Sequence, residues 1–174
     1  MCADAYAGRD AMTDTDETFG EGLEPAVVDY LTKSDIVRGM TSEEVRQFLP
    51  HLVSFEVGKG KVLVREGEPG QYLALLISGE IQVLKRRKDG AQMVLSTLGP
   101  GHVIGEMSVV DEGLRSATIR ASKDSMIVAL TRESYLRLAK ESPRVALAVL
   151  TEVARELSGK LRRMVDYVAD VRGL

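Results

Sequence analysis

The strongest signal in this chain lies in one segment, Gly105-Glu106-Met107-Ser108-Val109-Val110-Asp111-Glu112-Gly113-Leu114-Arg115-Ser116-Ala117-Thr118. The glycine at position 105 lets the backbone approach a bound group closely, and successive amides at a helix start form a concavity for an anion. Arg115 supplies a planar set of donors that matches phosphate oxygens. Because a carboxylate repels phosphate, Glu106 needs another partner, and a sugar hydroxyl is the natural one. The segment therefore predicts a site that holds a phosphate and a ribose together.

Around this segment, residues 52–130 alternate short apolar runs with glycines. The runs predicted as strands cover residues 62–64, 72–77, 81–84, 93–95 and 126–130. Asp89-Gly90 is typical of a hairpin turn between two strands. Several short strands separated by regular turns indicate an all-β barrel or roll. The four basic residues at 85–88 lack interleaved aromatics, so they indicate a solvated hairpin tip in preference to a nucleic-acid patch.

Helices are predicted on both sides of the roll. Pro25 suits the first turn of one short helix, and Thr41 with Glu44 forms a capping box at the start of another. After a break at Ser142-Pro143, a long helix is predicted over about residues 144–171.

This long helix carries a narrow apolar seam. Its members recur at alternating spacings of four and three residues and are Leu157, Leu161, Met164, Val168 and Val171. This alternating spacing is typical of the heptad repeat of a coiled coil. At 1.5 Å per residue the helix is too long to be covered by one small roll. We therefore predict a parallel homodimer through residues 150–171.

Residues 105–118 resemble the phosphate-binding cassette of the cyclic nucleotide-binding domain family, which includes catabolite-activator-like proteins and regulatory subunits of protein kinase A. The family pattern is Gly-Glu, a small and apolar tract, and then Arg-Ser/Thr-Ala-Thr. Residues 60–70, 77–81 and 98–105 are similar to the glycine-containing turns of the family. The resemblance therefore covers about residues 31–172, and the joint occurrence of cassette and turns makes it specific.

The resemblance implies a mainly β fold with flanking helices: a double-stranded β-helix, or jelly-roll-like β-roll, with N-terminal helices and a long C-terminal helix. The expected organisation is a disordered acidic tail over residues 1–22, N-terminal helices over 23–51, the roll over 52–130, and hinge, lid and dimerisation helices over 131–174. Bacterial regulators of the family place a helix-turn-helix DNA reader after the long helix. No such reader follows here, so we expect either a free-standing sensor or the sensor half of a larger regulator.

The resemblance also implies roles for individual residues. Glu106 would accept a hydrogen bond from the ribose 2′-hydroxyl, and Arg115 would pair with the cyclic phosphate. The other cassette residues expected to bind the ligand, mostly through their amides, are Gly105, Met107, Ser108, Ser116 and Ala117. Val64 and Leu76 would line the base or sugar side.

One feature departs from the family. Its best-known bacterial members supply adjacent hydroxyl residues from the long helix to the adenine, and the corresponding positions here are Lys160 and Leu161. Lys160 would donate to a base acceptor, whereas Leu161 or Met164 would pack on the base as a lid. The departure leaves both cAMP and cGMP open as ligands, and family frequency favours cAMP.

Composition agrees with a small regulatory module. The length of 174 residues suits one domain with flanking segments, and no apolar run is long enough for a membrane span, so we expect a cytoplasmic protein. Cys2 is the single cysteine, which excludes an internal disulfide. Residues 1–24 carry seven acids and one arginine, so they contribute −6 to the net charge of −3 and leave +3 on the remainder. This mildly basic remainder suits an anionic ligand and is too small a charge to indicate nucleic acid.

Two other classes of function compete with a sensor. An enzyme on a small barrel is disfavoured, because His51 and His102 are the only histidines and no Gly-x-Ser-x-Gly motif occurs. We therefore expect no catalytic residue, no metal and no cofactor. A dimerisation scaffold without a ligand is the other alternative, but it would be expected to lose Glu106 or Arg115. The preferred interpretation is a cyclic nucleotide-binding sensor whose C-terminal helix is repositioned to signal to a downstream protein of unknown identity.

Overall fold

The computed structural model of the chain describes residues 23–111 and 113–173. The disordered tail predicted over residues 1–22 lies outside the described residues. The helices are α1 (Pro25–Lys33), α2 (Ser42–Phe48), α3 (Glu106–Asp111), α4 (Arg132–Glu141) and α5 (Pro143–Arg172), with 3₁₀ turns at Asp35–Val37 and Leu49–His51. The strands are β1 (Val53–Val57), β2 (Val62–Val64), β3 (Tyr72–Ser78), β4 (Ile81–Arg86), β5 (Gln92–Leu98), β6 (Val103–Ile104), β7 (Thr118–Ala121) and β8 (Ser125–Thr131).

The strands form two antiparallel sheets that close into a jelly-roll-like β-roll, as the sequence predicts. One sheet has the order β1-β8-β3-β6 and the other has the order β2-β7-β4-β5. Apolar side chains from both sheets meet in one core between them, for example Leu63 of β2, Leu76 of β3 and Ile81 of β4. The predicted fold class, mainly β with flanking helices, is confirmed.

The continuous apolar run of β3 serves two cores. Side chains along a strand alternate between the faces of its sheet, so Tyr72, Ala74 and Leu76 point into the roll. Leu73 and Leu75 point to the opposite face and pack beneath the helices. A strand that is covered on both faces reads as uninterrupted hydrophobic sequence, which explains why residues 72–77 show no polar alternation.

Helices cover the outer face of this sheet. Phe48 of α2 and Val149 of α5 are fully buried in the same cluster as Leu73 and Leu75. Burial of a ring the size of Phe48 stabilises the fold by roughly 1.5–3 kcal/mol. The first half of α5 is thereby fixed against the roll, and its second half continues beyond the roll with mostly exposed side chains.

The local predictions for the helices are confirmed. Thr41 caps α2: its Oγ1 accepts from the amide of Glu44 at 3.2 Å, and its own amide donates to Oε2 of Glu44 at 2.8 Å. Pro25 lies in the first turn of α1, and Pro143 begins α5. The Asp89-Gly90 turn joins β4 to β5, with Gly90 at a φ of 86°.

The sequence analysis did not identify three strands, β1, β6 and β7. β6 is two residues long, too short for a periodic signal. β7 begins at Thr118, the last residue of the cassette, and the sequence analysis assigned residues 119–121 to no element. In β1 only Phe55 and Val57 are buried, so the run is weakly apolar.

Candidate ligand-binding site

The site begins where β6 ends and α3 starts. Gly105 links them with a φ of +75°, a conformation that L side chains rarely adopt. A Cβ at this position would lie 2.7 Å from the carbonyl oxygen of Tyr72 and would collide with Nη1 of Arg115. Glycine is therefore required here both by its backbone conformation and by the close approach of the arginine.

Arg115 precedes β7 and is only 4% exposed. Its Nη1 donates to the carbonyl oxygen of Tyr72 at 3.0 Å and to that of Gly105 at 3.4 Å. The guanidinium also lies over the Tyr72 ring, 4.5 Å from the ring centre. That ring is itself held, since the Tyr72 hydroxyl donates to the carbonyl oxygen of Leu63 at 3.2 Å.

The other side of the Arg115 guanidinium lacks partners. Nε and Nη2 are buried and make no hydrogen bond to any of the described residues. These two nitrogens share one edge of the guanidinium, which is the edge that binds an oxyanion through two parallel hydrogen bonds. A buried donor without a partner costs about 1–3 kcal/mol, and more when it is charged. The arrangement therefore indicates a site for an anion with at least two oxygens.

Glu106 is the first residue of α3, and its side chain is 8% exposed. Its Oε1 accepts from Nζ of Lys160 at 2.9 Å. Lys160 also donates to the carbonyl oxygen of Val103 at 3.1 Å, and Oε1 of Glu156 lies 3.7 Å from its Nζ. The long helix thus contacts the start of the cassette through one ammonium group. The sequence placed Lys160 near a base; the structure shows it on the carboxylate predicted to bind the ribose.

The far end of the cassette is held by Lys85 of β4. Its Nζ donates to the carbonyl oxygen of Ser116 at 2.6 Å and lies 2.8 Å from Oε1 of Glu66. The hydrogen bond from Lys85, with a further one from the Arg86 amide, lowers the pKa of the Glu66 carboxyl. In a trans peptide the carbonyl and the following amide point in opposite directions. Lys85 therefore sets the direction in which the amide of Ala117 points.

The remaining predicted site residues differ in their surroundings. Val64 and Leu76 lie in the core of the roll, in the same apolar cluster as Tyr72. Met107 and Ser116 are exposed, Ala117 is half-buried and Ser108 lies within α3. Leu161 is 62% exposed. Its role as a lid stays a prediction.

Sequence reasoning missed the residues that support the site. Tyr72 was interpreted only as the start of a strand, and Lys85 only as part of a solvated hairpin tip. Tyr72 is 43 positions from Arg115, and Lys85 is 31 positions from Ser116. No local motif marks either contact. Lys85 meets Ser116 because β4 pairs with β7, and Tyr72 meets Arg115 because the two sheets pack on one core.

The described parts of the chain contain neither a metal-binding cluster nor a membrane-spanning helix. No group of three or more His, Cys, Asp or Glu side chains is placed to hold a metal ion. None of the helices there combines the length and the apolar character that crossing a membrane requires.

The buried guanidinium of Arg115 has free donors and lies beside the Gly105 turn of a β-roll. This combination is that of the class of β-rolls that bind an anionic ligand. Residues 54–142 match the family model described as "Cyclic nucleotide-binding domain". This match extends over half of the chain. The chain belongs to the cyclic nucleotide-binding domain family, as the resemblance predicts.

Curated relatives and a solved structure agree with this assignment. The Cyclic AMP receptor protein of Thermus thermophilus is 37% identical over 124 residues, which cover 71% of this chain and 57% of that protein. A CRP-like cAMP-activated global transcriptional regulator of Mycobacterium tuberculosis is 25% identical over 146 residues, covering 83% of this chain and 65% of its own. The chain thus spans less than two thirds of these relatives. A solved cyclic nucleotide-binding domain from Methylobacillus flagellatus superimposes with a TM-score of 0.74 at 27% identity, over 83% of this chain and 82% of that one.

Proposed function

We propose that this chain is a regulatory sensor that binds cAMP in its β-roll and transmits binding through α5 to a downstream protein. One observation carries the proposal: the Nε and Nη2 edge of Arg115 is buried and unpartnered beside the Gly105-Glu106 turn. A cyclic phosphate has two exocyclic oxygens, which match that edge as a bidentate acceptor.

The cassette residues take the following roles in the proposal. Arg115 neutralises the single negative charge of the cyclic phosphate. The amides of Gly105, Met107, Ser108, Ser116 and Ala117, with the Ser116 hydroxyl, surround the phosphate, and Lys85 orients the last of these amides. Glu106 accepts from the ribose 2′-hydroxyl. Val64 and Leu76 form the apolar floor below the sugar and base.

The choice of cAMP over cGMP rests on the relatives. Both curated relatives described above are named for cyclic AMP. The positions that the sequence predicted to contact the base, Lys160 and Leu161, do not themselves favour either purine. A direct comparison of the two nucleotides is therefore part of the test.

Dimerisation through residues 150–171 is also part of the proposal. In the second half of α5 the side chains of the seam, Leu161, Met164, Val168 and Val171, are all exposed. Apolar residues at heptad spacing gain stability by packing on the same seam of a second helix. A parallel homodimer would bury these side chains. It would also join the two rolls through α5, so that a movement of α5 changes the position of one roll relative to the other.

Titration calorimetry of the purified chain tests the proposal, with cAMP, cGMP and 5′-AMP as titrants. We expect micromolar or tighter binding of cAMP, weaker binding of cGMP, and no binding of 5′-AMP, whose phosphate is not closed onto the ribose. The protein is first shown to be folded and free of co-purified nucleotide. Absence of heat with both cyclic nucleotides would contradict the proposal and leave a dimerisation scaffold as the better interpretation.

A further inference from the structure

Lys160 connects the moving part of the proposed sensor to the residue that would bind the ribose. Its ammonium group lies between three oxygens: Oε1 of Glu106, the carbonyl oxygen of Val103, and Oε1 of Glu156 one turn earlier on α5. Two of these acceptors belong to the junction of β6 and α3, and the third belongs to the long helix. The position of Lys160 is therefore well defined, and it joins α5 to the start of the cassette.

The two anchoring side chains of the site are covered in this arrangement. Arg115 is 4% exposed and the side chain of Glu106 is 8% exposed. A ribose hydroxyl that donates to Glu106 must come within about 2.7 Å of a carboxylate oxygen. At such low exposure, a neighbouring group has to move before a sugar can reach the carboxylate.

Lys160 is the covering group best able to move. Its side chain is 35% exposed and consists of a flexible four-carbon stem. Beyond Lys160, α5 presents mostly exposed side chains from Leu161 onward, so little packing within the chain resists its displacement. Arg115, by contrast, is held by the backbone of Tyr72 and by its ring.

We propose, building on the function proposed above, that Lys160 is a latch that competes with the ribose for Glu106. The ammonium and the 2′-hydroxyl both donate to the same carboxylate, and nucleotide binding breaks the contact with Lys160. Release of Lys160 frees the second half of α5, which carries the apolar seam. Because such coupling is reciprocal, the latch lowers nucleotide affinity by the same factor by which nucleotide weakens the hold on α5.

The sign of one substitution separates this role from the role predicted from the sequence. If Lys160 donates to the base, Lys160→Met weakens nucleotide binding. If Lys160 competes for Glu106, Lys160→Met tightens binding, because the carboxylate no longer has a rival donor. Methionine keeps the length and the apolar stem of lysine, so the packing of α5 is little changed.

The test is calorimetric titration of cAMP and cGMP into the full chain and three variants. We expect Lys160→Met to bind about twofold to fivefold more tightly than the unchanged chain, as for loss of a partly exposed ion pair. Lys160→Arg keeps the charge and should stay within about twofold of the unchanged chain. The matched control is Lys123→Met, which removes a similar ion pair, with Glu80 at 3.1 Å, on the turn between β7 and β8; it should leave affinity unchanged.

Amide hydrogen exchange gives a second readout. In the unchanged chain, nucleotide should speed exchange in the turn of α5 around residues 157–164. In Lys160→Met, exchange there should already be fast before nucleotide is added. If nucleotide slows exchange in this turn and Lys160→Met leaves it unchanged, the latch is wrong.

The outcomes distinguish this proposal from the one on which it rests. If the unchanged chain binds a cyclic nucleotide, and Lys160→Met binds it equally or more weakly, the latch fails and the sensor function stands. If neither protein binds cAMP or cGMP, both proposals fail. If only Lys160→Met binds measurably, the latch is supported in its strongest form.

Discussion

The guanidinium carbon of Arg115 lies 4.5 Å from the centre of the Tyr72 ring, and its Nη1 donates to the Tyr72 carbonyl oxygen at 3.0 Å. One residue at the start of β3 therefore holds the arginine through both its ring and its backbone. Because the guanidinium is already positioned, little side-chain entropy is lost when an anion binds to its free edge. The affinity of the site should therefore depend on Tyr72, even though the free edge itself makes no hydrogen bond to this residue.

Replacement of Tyr72 tests this dependence. Tyr72→Leu keeps the backbone acceptor and removes the ring, so the loss of the cation–π contact of about 0.5–2 kcal/mol should weaken cAMP binding by roughly twofold to thirtyfold. Tyr72→Phe is the control, because it keeps the ring and removes the hydroxyl that donates to Leu63. Calorimetry on both variants, after thermal unfolding shows that they fold, gives the comparison. Equal affinities for the two variants would show that the ring does not position Arg115.

A second prediction concerns the two parallel donors, Nε and Nη2, on the free edge of Arg115. Arg115→Lys keeps a positive charge but cannot present two parallel donors. The loss of a charge-assisted hydrogen bond, about 1.5–3 kcal/mol, should weaken nucleotide binding by roughly 10- to 150-fold. Arg120→Lys on β7, where Arg120 donates to Gln82 at 3.0 Å, is the control and should bind normally. Retention of full affinity by Arg115→Lys would remove the bidentate role.

Glu106 should distinguish ribose from deoxyribose. In Glu106→Gln the acceptor loses its charge, so cAMP should lose affinity while 2′-deoxy-cAMP, which has no hydroxyl to donate, should be much less affected. The ratio of the two affinities is the quantity to measure. Because Lys160 competes only with a ligand that carries the 2′-hydroxyl, the ratio is compared in the Lys160→Met background, where the latch is absent. An unchanged ratio would limit Glu106 to a structural role.

The apolar seam of α5 makes a prediction about assembly. Leu161→Glu places a charge in the seam and should convert the dimer to a monomer, because a buried unpaired carboxylate is costly. Asp166→Ala is the matched control, since Asp166 lies on the opposite side of the heptad. Light scattering coupled to size-exclusion chromatography measures the mass. A monomeric unchanged chain, or a Leu161→Glu variant that stays dimeric, would refute the coiled-coil interface.

Stability should fall in mild acid through His51. Burial lowers the pKa of this histidine below its ordinary value of 6.5, and the charge of Glu141, 3.3 Å away, only partly offsets the effect of burial. Between the folded and unfolded pKa values the unfolded chain binds more protons. The contribution of His51 is therefore present above about pH 6.5 and is lost as the pH falls through the folded pKa. Thermal unfolding from pH 7.5 to 5 should show a smaller decline in His51→Gln than in the unchanged chain; equal declines would exclude His51 as the cause.

Local features were predictable because their partners are neighbours in sequence. The capping box of Thr41 and Glu44, the Asp89-Gly90 turn and the start of α5 at Pro143 each involve a few consecutive residues. The strands that were missed carry too few residues or too little apolar character to show a period. β6 exists because β3 supplies partners for its two residues, and nothing within Val103-Ile104 predicts it.

The amino-acid sequence by itself determined the family, the β-roll with its flanking helices, and the Gly105-Glu106 and Arg115 cassette, because these follow from short motifs and regular turns. Only the tertiary structure decided which edge of Arg115 is free, that Tyr72 and Lys85 support the cassette, and that Lys160 lies on Glu106. The hydrogen bonds that make these contacts join residues more than 30 positions apart. Their geometry depends on strand register and on the return of α5 across the roll, and no local pattern in the chain encodes either.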